Sequence, residues 1–298
     1  MGRWAQLDWI DLLETSLAGL GTGALMALTG VAFVVIYKAT RVINLAIGEM
    51  MMIGAFVFYG FAAGLELPFW AALPLTLIVA ALVGGLIERT MIRPLLKDNT
   101  VSVFMVTIGL TSILIGVVEL IWSAEPRRLP EFLPQVPVFV GEALVPAKTA
   151  YSFVIAAAAI AVLLLVFAFW RGGVALRATA TDRAAAASVG INVPGVFAFS
   201  WMLAAMVAAL AGVLVGSVGG ISSAMGLFGL SVFVVVIVGG LDSIAGALVA
   251  GLFIGWLEAM VGRVFGGEFK LLATFTVLLV VLVVRPYGLF GTHEIERL

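Results

Sequence analysis

The chain has 298 residues, 63% of them hydrophobic and only 11% charged, and its mean hydropathy of +1.22 lies far outside the range of soluble globular domains. Its 16 lysines and arginines are matched by 17 aspartates and glutamates, so there is no large basic patch and no nucleic-acid partner is expected. The absence of cysteine excludes disulfides, thiolate metal sites and a cysteine nucleophile.

The first residues, MGRWAQLDWIDLLE, are too acidic for a secretory signal peptide, which needs a basic start and a small-residue cleavage site. The first span is therefore expected to stay attached. Charge-free windows run over residues 15–37, 67–87, 99–118 and 149–170, each near the ~20 residues a helix needs to cross ~30 Å of hydrocarbon. No charge occurs from Ala184 to Leu241, and the glycine and serine cluster at 216–229 divides that stretch in two. Shorter apolar pieces lie at 50–65, 243–257 and 271–284. These runs are continuous rather than alternating, so they predict helices and not barrel strands. The expected fold is all-α and polytopic, with eight or nine crossings that include broken helices, in a single transmembrane domain over residues 1–298.

Two longer connections stand out. In the first, at about 123–150, Pro126, Pro130, Pro134, Pro137 and Pro146 predict an extended, ordered cover rather than a helix. The second, residues 171–194, reads RGGVALRATATDRAAAASVGINVP and interrupts two apolar stretches. With this second loop in the cytoplasm and the crossings alternating, Lys38, Arg41, Arg89, Arg93, Lys97, Arg171, Arg177, Arg183, Arg285 and Arg297 face inward. Arg3, Arg127, Arg128, Lys148, Arg263 and Lys270 then face outward. That excess agrees with the bias of lysine and arginine toward cytoplasmic loops. It makes the proline-rich loop external and the C-terminus cytoplasmic.

Within 171–194, Asp182 can cap a short helix over 183–189, favoured by four consecutive alanines. Gly190 can end it in the left-handed conformation and Pro194 prevents its continuation. Such a helix either docks into a groove on another protein or simply connects two spans.

Two interrupted segments point to a translocation path, because half-helix ends and unwound backbone offer dipoles and hydrogen-bonding groups where a break lines a cavity. The first, INLAIGEMMMIGA at 43–55, contains Asn44, Gly48 and Glu49; the second, VGGLDSIAG at 238–246, contains Gly239, Gly240, Asp242 and Ser243. A carboxylate at a helix centre in lipid costs ~2.5–3.5 kcal/mol on insertion scales, so Glu49 and Asp242 should face protein or water, unless they sit at the membrane edge. There, backbone amides would suit the carboxylate of a zwitterionic amino acid, and an acidic group its ammonium. Glu119 and Glu258 are isolated acids near span ends, read as interfacial. Gly19 with Gly23, Gly212 with Gly216, and Gly251 with Gly255 allow close helix contact within the subunit. His293, the lone histidine, lies in the polar tail and suggests neither a metal nor a catalytic role. No G-x-x-x-x-G-K-[ST] loop, G-x-S-x-G elbow or paired metal ligands occur, so the chain is read as neither an ATPase nor an intramembrane enzyme.

The run Arg177, Ala178, Ala180, Asp182, Ala185, Ala186, Gly190, Ile191 and Asn192 resembles the coupling loop of branched-chain amino acid ABC permeases of the LivH type. Other stretches agree in the same order along the chain. Gly19, Gly23, Ala24, Leu25, Ala27 and Leu28, then Ile36, Tyr37, Asn44, Ala46, Gly48, Glu49, Gly54 and Ala55, look like that family's first two membrane segments. Glu88, Arg89, Arg93, Pro94 and Leu95 look like its first cytoplasmic loop. Gly239, Gly240, Ser243, Gly246, Ala247 and Gly251 look like its glycine-rich late segment, and Arg285, Pro286, Gly288, Leu289, Phe290 and Gly291 like its closing motif.

The resemblance implies an importer half-channel in the bacterial inner membrane. Its partners would be a second permease (LivM-like, or another copy of this chain), two cytoplasmic ATPase subunits and a periplasmic substrate-binding protein. No cofactor would be bound by this chain itself; ATP and Mg would reside in the partner ATPases. Where the family commonly has N-F-A-H-G, this chain has Asn44, Leu45, Ala46, Ile47 and Gly48, and Asp242 and Ala245 replace a usual glycine and proline. These departures bear on substrate identity, since related permeases handle urea, short amides and carboxylic acids besides leucine, isoleucine and valine. The alternative is a self-sufficient ion-coupled transporter or channel in which Glu49, Asp242 or Glu258 binds the coupling ion.

Overall fold

Uninterrupted apolar runs leave the backbone one way to satisfy its amides in hydrocarbon, and the computed structural model, which describes residues 9–96 and 100–292, is helical almost throughout. The expectations for Arg3, Lys97, His293 and Arg297 fall outside the described residues. The helices are α1 Trp9–Thr40, α2 Ile47–Tyr59, α3 Phe69–Ile87, α4 Arg93–Leu95, α5 Thr100–Trp122, α6 Ala147–Phe169, α7 Arg171–Thr181, α8 Arg183–Ser188, α9 Val193–Gly219, α10 Gly226–Gly239, α11 Ile244–Val264 and α12 Phe269–Val284. Single π turns extend α2 over Gly60–Gly64 and join α3 to α4 over Glu88–Ile92.

Among the described residues, seven segments are long and apolar enough to span a bilayer: Trp9–Thr40, Ile47–Gly64, Phe69–Leu95, Val101–Trp122, Ala147–Phe169, Val193–Gly219 and Ile244–Val264. Ser223–Gly239 and Phe269–Val284 are shorter apolar helices. The fold is thus the polytopic helical one expected. The proline-rich connection is extended and adds a small antiparallel hairpin, β1 Val138–Val140 with β2 Ala143–Val145, in the register Val138 to Val145. Gly141 turns it with φ +65°.

The 171–194 segment, read as a loop with one short helix, contains two helices. In α7 the residues Gly173, Leu176 and Thr179 are buried, a spacing of three that turns one face inward. Polar composition marked this segment as wet, which does not make it coil.

The chain divides into two compact units. One comprises Met1–Gly30, Leu133–Ala157 and Ser231–Leu298; the other, Val31–Phe132 and Ala158–Leu230. In the first, glycine faces let α1 and α11 approach backbone to backbone: a Cβ on Gly23 would lie 2.8 Å from the Gly251 carbonyl oxygen, and one on Gly251 would lie 2.7 Å from the Ala27 nitrogen. Asp11 pairs with Arg263 at 3.1 Å, and Glu14 accepts the Leu144 amide at 2.7 Å, holding β2. In the second, α2 is the central helix, with 11 of its 13 residues buried, as expected of a helix apolar all round. Gly54 of α2 meets Ala209 of α9, Gly212 of α9 meets Met51 of α2, and Gly84 of α3 meets the backbone of Trp201 in α9.

Candidate functional site

The polar side chains that the sequence singles out near the start of α2 are inside the second unit. Asn44 is fully buried. Its Oδ1 accepts the Ala46 amide at 3.1 Å, an Asx turn that leads the chain out of the irregular 41–46 stretch into α2. Its Nδ2 donates to the Met50 sulfur at 3.3 Å. Glu49, in the first turn of α2, is 8% exposed. It sits where α2 crosses the start of α10, because a Cβ on Gly48 would lie 2.9 Å from both the Gly226 carbonyl oxygen and the Gly229 Cα, and one on Gly226 would lie 2.6 Å from Glu49 Oε1. Gly48, Gly226 and Gly229 thus let the two helices meet backbone to backbone, and the missing side chain of Gly226 leaves the space that the carboxylate occupies. Glu49 is therefore packed among protein atoms within this unit.

The second interrupted segment belongs to the first unit. Gly240, with φ +107°, ends α10 and cannot be replaced without strain. Ser243 caps α11, its Oγ accepting the Gly246 amide at 3.0 Å. The closing motif folds back onto this turn: the Leu289 and Phe290 amides donate to the Val238 and Gly239 carbonyls at 2.8 and 3.0 Å. Asp242 accepts the Thr292 hydroxyl and, at 3.3 Å, its amide. Gly239, Gly240, Asp242 and Ser243 therefore form a turn clasped by the C-terminal segment, in a different unit from Asn44, Gly48 and Glu49.

In the 171–194 segment, Asp182 Oδ1 accepts the Ala184 and Ala185 amides at 2.8 and 3.0 Å, capping α8. At the other end the Gly190 amide donates to the Ala187 carbonyl and the Ile191 amide to the Ala186 carbonyl, both at 3.0 Å, with Gly190 at φ +88°. That is the Schellman closure. Asn192 caps the next helix by accepting the Gly195 amide at 3.1 Å, and Pro194 falls in the first turn of α9, so it starts a helix as well as stopping one. Arg177 donates to the Phe167 carbonyl, and Ala178 accepts the Asp182 amide at 3.0 Å, while Ala180 is half-buried. In α8 only Ala186 is buried; Ala185 and Gly190 are exposed, and Val189 is 76% exposed.

Contacts that the sequence could not pair hold this surface. Glu88, fully buried, takes a two-point bond from Arg93, Nε to Oε1 at 3.0 Å and Nη2 to Oε2 at 2.7 Å. Arg93 Nη2 also donates to the Pro194 carbonyl at 3.2 Å. The end of α3 is thereby tied to the α8–α9 junction. Arg183 lies over the Phe197 ring at 5.2 Å. At the opposite end of the same unit, Arg127 donates to the Tyr59 hydroxyl and the Trp122 carbonyl and pairs its backbone with Ile221. Arg93 and Arg183 thus lie at one end of this unit and Arg127 at the other. In the first unit Glu258 accepts the Ser231 and Thr274 hydroxyls at 2.9 and 2.7 Å, joining α10, α11 and α12. Hydroxyls on otherwise apolar helices were the available signal for that cluster. Among the described residues no group of acids and histidines is arranged to hold a metal.

Residues 15–284 match the family described as "Branched-chain amino acid transport system / permease component". The high-affinity branched-chain amino acid transport system permease protein BraD of Pseudomonas aeruginosa is 32% identical, with 96% of this chain and 97% of BraD aligned. The corresponding LivH of Escherichia coli is 30% identical over 97% and 99%, and the probable LivH of Methanocaldococcus jannaschii 28% over 92% and 91%. Among solved structures, a chain of PsaBC from Streptococcus pneumoniae in complex with Fab shares the fold, with a TM-score of 0.50 at 14% identity and 93% and 92% coverage.

Proposed function

This chain belongs to the branched-chain amino acid transport system permease family, a multi-pass membrane component of an importer, and from that premise we propose how it works and with what. Partner ATPases supply the energy from ATP and Mg, and α8 is the element they grip. A second permease subunit completes the channel, and a periplasmic binding protein delivers the solute. The cargo is a branched-chain or related amino acid, amide or carboxylate. The end of the second unit that carries α8, Arg41 and Arg93 faces the cytoplasm, as does the C-terminus, and the two units together form one permease domain.

The observation that carries this reading is the construction of α8. Six residues are capped at both ends, exposed on nearly every side, and tied through Pro194 and Arg93 to the helices of the unit. A push on such a helix is transmitted to α3 and α9 as a displacement of packed elements. Asn44, Gly48 and Glu49, with Gly239, Gly240, Asp242 and Ser243, are proposed to line the translocation path, the first group offering a carboxylate to the substrate ammonium. Family membership favours this over the ion-coupled alternative.

Gly190→Arg tests the coupling role. Nothing lies within 4 Å of a Cβ there, so the arginine has room and alters the surface that the ATPase would meet, while the positive φ of +88° adds local backbone strain at the end of α8; Gly190→Ala, which carries the same strain without the bulk and charge, is expected to retain uptake. Gly190→Arg is expected to insert normally and to lose uptake. Wild-type uptake at normal expression would remove α8 from the mechanism.

A further inference from the structure

At the end of the second unit opposite α8, residues 123–132 of the proline-rich connection lie on the helices at three points. Arg127 exchanges both backbone hydrogen bonds with Ile221, each at 2.8 Å. Its guanidinium donates to the Tyr59 hydroxyl at 3.1 Å, the Trp122 carbonyl at 2.8 Å and the Ser123 hydroxyl at 3.4 Å. Leu129 is buried against α9, where a Cβ on Gly216 would lie 3.1 Å from its Cδ1 and 2.6 Å from the Ile221 side chain. Phe132 stacks on Phe69 with centroids 4.7 Å apart and meets Phe58 edge-on at 5.4 Å. This strap therefore joins the end of α2, the start of α3 and the end of α9.

Its central contact falls on the break between α9 and α10. Gly220 turns there with φ +83°, Ile221 takes the backbone pair, Ser223–Met225 makes a single 3-10 turn, and Gly226 leaves the space that Glu49 occupies. The pairing point and the Glu49 contact thus belong to one unwound stretch, 220–226. Two features make the strap releasable. Arg127 Nε is buried with no acceptor among the described residues, so lifting the strap hydrates a donor that seating leaves unpaired. Ser123, where the strap leaves α5, holds φ +68°, a left-handed value that strains a non-glycine residue.

We propose that residues 123–132 are the gate over this end of the translocation path, with the Arg127–Ile221 backbone pair as its latch. Seated, the strap fixes the 220–226 stretch beside Glu49; released, it frees that stretch and admits the solute. What the gate guards rests on the reading of Glu49 as part of the path.

The chain has no cysteine, so access can be read from Ser222→Cys alone. A membrane-impermeant maleimide, applied to membrane fragments open to both faces, is expected to label that cysteine slowly. Adding Arg127→Met should speed labelling about tenfold, since losing the guanidinium's hydrogen bonds shifts the seating equilibrium by about that factor. Arg128→Met, at the exposed neighbour, should leave the rate unchanged. A rate indifferent to Arg127→Met, or raised equally by Arg128→Met, would overturn the proposal. A second arm locks the latch. Residues that exchange both hydrogen bonds in an antiparallel pair have Cα atoms about 5.5 Å apart, within the reach of a disulfide. Arg127→Cys with Ile221→Cys should cross-link on mild oxidation, and uptake of radiolabelled leucine by cells that express the chain with its native neighbours should be lost and then return on reduction. Failure to cross-link, or equal uptake by the oxidised and reduced pair, would overturn the gate. Loss on oxidation while Glu49→Gln transports normally would keep the gate and remove only Glu49 from the path.

Discussion

Glu49 is the residue on which the translocation reading turns, and it packs against Gly226 where Gly48 and Gly229 bring α2 and α10 into backbone contact. Any Cβ on Gly48 would collide with the Gly226 and Gly229 backbones, atoms that cannot rotate away. Gly48→Ala is therefore expected to destabilise the protein by about 1–3 kcal/mol through overpacking, seen as earlier thermal unfolding in detergent. Glu49→Gln retains shape and removes charge; if the carboxylate receives a substrate ammonium, uptake should fall about tenfold with insertion unchanged. Unchanged uptake would make Glu49 a packing residue. The sequence showed that this acid needs protein or water around it, since lipid is costly for a charge. It could not show Gly226, because that glycine lies far along the chain and glycine is too frequent here to single one out. For Asp242 the missing information was its partner, Thr292, fifty residues away and visible only once the closing motif folds back.

Among the elements, α8 was readable nearly residue by residue, because caps are local: Asp182 at one end and Gly190 at the other are sequence-adjacent to the amides and carbonyls they satisfy. Helix α7 was not, since its polar composition reads as a wet loop and its buried residues Gly173, Leu176 and Thr179 include a glycine and a threonine, which give no apolar periodicity. The clamp that joins α3 to the α8–α9 junction depends on the buried Glu88. Arg93→Met alone should cost about 2 kcal/mol, less than the ~3–5 kcal/mol of a fully buried pair because Arg93 is 38% exposed. Glu88→Gln with Arg93→Met should recover much of that loss, since no uncompensated carboxylate then remains. A double variant no more stable than Arg93→Met would mean that the pair itself, and not the orphaned charge, carries the effect. Thermal unfolding of the two variants in one detergent decides between them.

Across the whole molecule, seven spans among the described residues were legible because each is an apolar run of bilayer length, a signal that needs no knowledge of neighbours, whereas Ser223–Gly239 and Phe269–Val284 are shorter. The β1–β2 hairpin was not, being only three residues a side within a proline-rich loop, nor was the division into two units, which depends on contacts between segments over a hundred residues apart, such as Leu144 on Glu14. What the assembled permease does depends in turn on subunits beyond this chain. The most direct measurement is purification of the tagged protein in mild detergent with its native neighbours expressed, followed by mass spectrometry and an ATPase assay. The account predicts ATPase subunits in stoichiometric amount, with hydrolysis stimulated by a liganded periplasmic protein and that stimulation lost in Gly190→Arg. Recovery of the chain alone, competent for ion-dependent uptake in liposomes, would contradict it.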